Sequence, residues 1–370
     1  MTASSPSPSL SKSQSGTRYH HLDALRGLAA LAVALSHTLT AFSHTPFPLY
    51  VERLLGRTPV LFFFVLSGFV LSRSLGNEGK LSKREVAAFL VRRFFRLYPV
   101  LLISLIAAFF AVKFYTKPEE WSPANDWLIF NIKAAQSVSG LHSYINTLVL
   151  RNIFLNPPVW TIQTELFSSF CLPFMVIILK RVKISLIPVG LILLYVLSRG
   201  MWAPHGMQYF MFCFYLGYFV CTHGTGPRHL TIRTTQCLIL ASFLMLIFVQ
   251  PLVLSDVYTS VILAALLAIL IPCNWPKLKK ILNLPFLQLL GRISFSFYLA
   301  NFPIIILGWL LMQKYSPKFL CMQPSYLPAL VLFFVSSSIT LFIAILSERW
   351  LERFWNALGH RLAKKCFLSS

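Results

Sequence analysis

A chain of 370 residues that is 56% hydrophobic and only 12% charged is too apolar and too poor in charge for a soluble globular protein. Its net charge of +22 calls for no nucleic acid, because basic residues that orient membrane spans and touch anionic lipid account for it. The cysteines Cys171, Cys213, Cys221, Cys237, Cys273, Cys321 and Cys366 show no Cys-x-x-Cys pair and no His/Cys ligand spacing, so neither a metal site nor a disulfide framework is expected.

Residues 1–17 are almost free of apolar side chains and read as a disordered cytosolic tail, not a secretory signal. A spanning helix needs roughly 20 apolar residues. Such runs occur near 22–43, 59–76, 95–112, 159–179, 184–199, 206–222, 235–250, 253–272, 287–312 and 327–347. The expected fold is all-α, a polytopic bundle of about ten transmembrane helices. Residues 18–355 form one membrane domain, and 356–370 a basic cytosolic tail. With the N-terminus in the cytosol, the even-numbered loops and tails hold 24 of the 33 lysines and arginines, and the odd-numbered loops hold 9. That asymmetry predicts that both termini are cytosolic, in a plasma membrane of the bacterial inner-membrane kind.

Ionisable groups inside the bilayer are costly and face protein or a water-filled cavity. On the first helix Asp23, Arg26 and His37 stand out. Eleven helical steps bring Arg26 and His37 onto one face about 16 Å apart, and Asp23 lies within pairing reach of Arg26. Ser67-Gly68, after a run of phenylalanines, reads first as a small-residue packing notch. Arg73, Lys80, Lys83, Arg84, Arg92, Arg93 and Arg96 share one expected cytosolic loop. Topogenic charge and phosphate binding both explain such a cluster. In the outer segment 113–158 the tryptophans and amides suit a sugar, and interfacial anchoring explains the tryptophans equally well. Glu165, five residues below Trp160, is expected at the depth of His37, where the two would form an acid/base pair. A lone His in a bundle is more often a packing residue. The Arg and Glu at matched positions argue for chemistry here.

The stretch His21-Leu22-Asp23-Ala24-Leu25-Arg26-Gly27, with ten residues between Arg26 and His37, resembles the opening signature of the acyltransferase 3 family of membrane proteins. Residues 62–69 (FFFVLSGF), 92–99 (RRFFRLYP) and 156–165 (NPPVWTIQTE) resemble its later motifs in the same order, and the stretch around Ser347, Glu352 and Arg353 its closing pattern. The chain departs at Asn301, where the family usually has His. Asn cannot take up a proton at neutral pH, so no second catalytic His is expected.

The resemblance implies an O-acyltransferase that moves an acyl group, usually acetyl, from acyl-CoA to a hydroxyl of a carbohydrate or glycolipid. Acyl-CoA is then a co-substrate, and no cofactor is held permanently. Arg92, Arg93 and Arg96 would hold the CoA phosphates, and the pantetheine arm would pass Arg26. His37 would be the general base, oriented by Glu165. Asp23, Ser67, Gly68, Asn156, Trp160 and Asn301 would support the site. A proton-coupled transporter would use the same His, Glu and Arg, and it predicts an internal repeat, which the chain does not display. A non-catalytic scaffold leaves His37 and Glu165 without purpose.

Overall fold

A computed structural model describes residues 19–42, 53–75, 81–112, 126–138, 140–179, 207–223, 231–253, 256–273, 275–322 and 326–368. Helices α1 (His20–Thr40), α2 (Thr58–Ser74), α3 (Lys83–Val112), α4 (Asp126–Gln136), α5 (Gly140–Leu148), α6 (Val159–Leu179) and α7 (Met207–His223) come first. They are followed by α8 (Ile232–Val253), α9 (Asp256–Leu270), α10 (Pro276–Leu282), α11 (Pro285–Tyr315), α12 (Tyr326–Leu346) and α13 (Arg353–Ala363). A π-turn, Arg53–Arg57, precedes α2, and a second, Ser347–Glu352, joins α12 to α13. No strand occurs among the described residues.

Six of these helical runs are long and apolar enough to cross a membrane, and three shorter apolar helices pack with them. The protein is an all-α, multi-pass membrane protein. The expected span at 184–199 lies outside the described residues.

Two helix crossings hold the bundle together through small residues, which let backbones meet where lipid supplies no hydrophobic drive between helices. Against α11, a Cβ on Gly27 would lie 2.6 Å from Leu290 Cβ, and one on Gly291 would lie 2.2 Å from the Asp23 carbonyl. Against α7, a Cβ on Gly68 would fall 2.2 Å from the Phe214 carbonyl, and one on Gly217 would fall 2.1 Å from that of Val65. Gly68 therefore serves as the packing notch.

The third helix begins twelve residues before the apolar run at 95–112. What reads as a cytosolic loop is largely helix. Ser82 and Glu85 form a reciprocal capping box, with Glu85 N–H donating to Ser82 Oγ (3.1 Å) and Ser82 N–H to Glu85 Oε2 (2.7 Å). These added turns pack on α13, where Phe95 stacks on Trp355 at 5.9 Å and Gly359 gives room for the Phe95 Cβ.

Candidate active site

Three adjoining cavities line up along α1. The first, of about 450 Å³, lies beside its N-terminal half. Its lining includes Asp23 and Arg26 of α1, Arg73 of α2, Arg96 of α3 and Arg292 of α11, with Glu348, Glu352, Arg353 and Asn356 from the C-terminal π-turn and α13. Five arginines face three carboxylates there. Arg353 Nε donates to Glu348 Oε1 at 3.0 Å, and the Ser296 hydroxyl donates to Glu352 Oε1 at 2.5 Å. The second cavity is a neck of only about 50 Å³. It shares Arg26 and Phe295 with the first and adds Ser67, Thr161, Glu165 and Tyr298. The third, of about 440 Å³, shares Val60 and Tyr298 with the neck and contains His37.

Around His37 the walls are aromatic. Trp127 of α4 stacks on the imidazole (centroids 5.7 Å apart, planes 27° apart), and Phe302 meets it edge-on at 5.6 Å. Helix α4 is fixed over this site because Leu128 and Ile132 are fully buried on its inner face. One turn beyond Trp127, Asn131 also lines the cavity and donates from Nδ2 to the Trp127 carbonyl (2.7 Å). Trp160 forms part of the opposite wall and packs on Phe64 and Phe210. His37 Nδ1 is enclosed and has no hydrogen-bond partner among the described residues.

Two sequence expectations need correction. Glu165 does not orient His37. Its carboxylate accepts from Arg93 in a partly buried ion pair, and Arg93 Nε also donates to Ser169 Oγ (3.3 Å). The reason is depth. Trp160 lies at the level of His37, and five residues further along α6 place Glu165 about 7.5 Å deeper, at the neck with Arg26. A guanidinium as buried as that of Arg93 is stable only with a partner, and Glu165 supplies it. The second correction concerns Arg92, Arg93 and Arg96, which do not form one basic patch. Arg96 alone lines the large basic cavity, Arg93 is committed to Glu165, and Arg92 backs onto α13 at Gly359. The three project within an arc of about 100°, and their neighbours separate them: Glu165 of α6 takes Arg93, and α13 covers Arg92.

The remaining expected residues are placed as follows. Asp23 and Arg26 line the basic cavity together, and Ser67 lines the neck. Asn156 is fully buried and donates from Nδ2 to the Leu299 carbonyl of α11 (3.0 Å), which pins the Asn-Pro-Pro turn that aims Trp160. Asn301 is buried, and neither of its amide atoms has a partner among the described residues. Residues that sequence reasoning missed or left unassigned are Arg53, Arg57, Arg73, Trp127, Asn131, Arg292, Arg353 and Asn356. The four-residue spacing of Arg53 and Arg57, and of Trp127 and Asn131, was a usable signal that each pair shares a face.

Comparison with known proteins agrees with this architecture. Residues 19–349 match the family model of an acyltransferase domain, the acyltransferase 3 family. A protein of Rhizobium radiobacter, "Protein 2 in picA locus", is 38% identical over 95 residues, 25% of this chain and 46% of that relative. The chain thus spans about half the length of this curated relative. No solved structure matches. A match over nearly the whole chain, with the family's residues gathered along one row of cavities, places this membrane protein in the acyltransferase 3 family.

Proposed function

We propose that the protein is an O-acyltransferase that carries an acetyl group from cytosolic acetyl-CoA through the bundle to a hydroxyl of a carbohydrate or glycolipid acceptor. The observation that carries this reading is the row of cavities, from an arginine-lined chamber through a neck at Arg26 to His37. Arg26 and His37 are about 16 Å apart along α1, comparable with the reach of a pantetheine arm.

In this reading the CoA phosphates rest against Arg73, Arg96, Arg292 and Arg353, where charge-assisted, bidentate contacts are available. The arm passes the neck and brings the thioester into the cavity of His37. Enclosure of Nδ1 leaves Nε2 as the nitrogen open to the acceptor. His37 takes the proton of the acceptor hydroxyl as its oxygen attacks the thioester carbonyl. The C–S bond then breaks, and the proton passes to the departing thiolate, giving CoA and the O-acyl product. Trp127 and Phe302, not Glu165, fix the imidazole plane. Glu165 and Arg93 brace the neck.

The basic chamber is assigned to the cytosolic side, with both termini there, by the excess of lysine and arginine in the even-numbered loops and tails. The test is release of CoA from acetyl-CoA by the purified protein in detergent, with acceptor glycans read by mass spectrometry. Acetylated glycan with matching CoA release is the expected result. Release of CoA with no acylated acceptor contradicts the reading.

A further inference from the structure

The cavity of His37 contains two arginines, Arg53 and Arg57, that the transfer chemistry does not use. They come from the π-turn before α2, which is pressed onto α1 so closely that a Cβ on Gly56 would lie 2.6 Å from Ser36 Oγ. Arg57 is held as a rigid fork. Its Nε and Nη2 both donate to Asp256 Oδ2 of α9, at 3.1 and 2.7 Å. Its guanidinium lies over the rings of Phe210 and Trp160, 4.7 and 5.4 Å from their centroids. A guanidinium carries five N–H donors, and one carboxylate oxygen occupies a single edge.

Charge on this side runs against the positive-inside asymmetry, and Asp256 engages Arg57 along one edge only, so this guanidinium can hold a second anion. The donor does not supply that anion. An acetyl thioester and a pantetheine arm are uncharged, and the CoA phosphates belong about 16 Å away at the other end of α1. The same cavity presents Trp127, Trp160 and Asn131, rings and an amide suited to a sugar face and its hydroxyls.

We infer that the acceptor is an acidic saccharide, whose carboxylate is held by Arg53 and Arg57 while a neighbouring hydroxyl is presented to His37. The inference rests on the acyl-transfer reading of this cavity, and it is tested by binding so that the two can fail separately. Isothermal titration of the purified protein would use methyl β-D-glucuronide and methyl β-D-glucoside, which differ only at C6, a carboxylate in the one and a hydroxymethyl group in the other. The glucuronide should bind about tenfold more tightly, the effect of one charge-assisted contact, and the gap should narrow as salt is raised. Replacing Arg57→Gln together with Asp256→Asn, which leaves no orphaned charge, should bring the glucuronide down to the glucoside's affinity without moving the latter. Arg53→Gln alone, which leaves the Arg57–Asp256 pair in place, should reduce the preference in the same direction. Equal binding, tighter glucoside binding, no binding of either, or a preference untouched in both variants would overturn the inference. A glucuronide preference without acetyl-CoA turnover supports the anion site and counts against the transferase reading instead.

Discussion

The two ends of α1 solve opposite problems. At the Asp23–Arg26 end the cavity is built from charge, with arginines and carboxylates from α1, α2, α3, α11 and α13 interleaved around about 450 Å³. At the His37 end a cavity of similar size combines aromatic walls with Arg53 and Arg57, and the imidazole has stacking partners but no polar partner for Nδ1 among the described residues. The first arrangement suits a polyanion that arrives already charged. The second holds the imidazole by its faces, between rings, and leaves a ring nitrogen to take up a proton. The carboxylate that sequence depth had paired with His37 belongs to the neck between these ends, where it neutralises Arg93.

The largest stability effect is expected at that divide. Glu165→Gln leaves the Arg93 guanidinium buried without its counter-charge and should cost about 3–5 kcal/mol in thermal or denaturant unfolding. The double change Arg93→Met with Glu165→Leu should cost less than either single change. Simple additivity of the two single losses would mean that the pair is not coupled and that the neck is held by other contacts.

A smaller effect separates the charged end from its neighbours on α3. Arg73→Gln, Arg96→Gln and Arg292→Gln should each weaken CoA binding by about 1.5–3 kcal/mol in isothermal titration. Arg92→Gln should leave it within about twofold. Equal losses at Arg92 would restore the contiguous arginine run as the donor site.

The smallest concerns the first turns of α3, which carry Arg96 to its place. Ser82→Ala removes half of the capping box and should destabilise the protein by about 1 kcal/mol, with the loss appearing in hydrogen exchange of residues 83–88 before it appears at α1. Unchanged exchange there would show that packing on α13, through Phe95 and Trp355, suffices to hold this end of α3.

The fold class and the family were legible in the sequence, and most of the side-chain pairing was not. Arg26 and His37 could be placed on one face because helical periodicity is local, and they do open onto the two ends of one row of cavities. The start of α3 was hidden because hydropathy registers only its apolar half, although Ser82-x-x-Glu85 announced the true N-terminus. The partner of Glu165 was out of reach for a different reason. Depth counted from the ends of hydropathic runs carries an error of a helical turn or more, and one turn decides between His37 and Arg93. Arg292 and Arg353 lie just over sixty residues apart in the chain, and only the packing of α11 against α12 and its π-turn brings them into one chamber.

The central claim is that donor binding and proton transfer are performed at opposite ends of α1. His37→Gln tests it most directly, since the amide keeps hydrogen bonding but cannot accept the proton. Acetyl transfer by the purified variant should fall by about 10²–10⁴, while the dissociation constant for acetyl-CoA, titrated in the same preparation, stays within about threefold of the parent protein. Full transfer activity in His37→Gln, or loss of acetyl-CoA binding together with activity, would contradict the account.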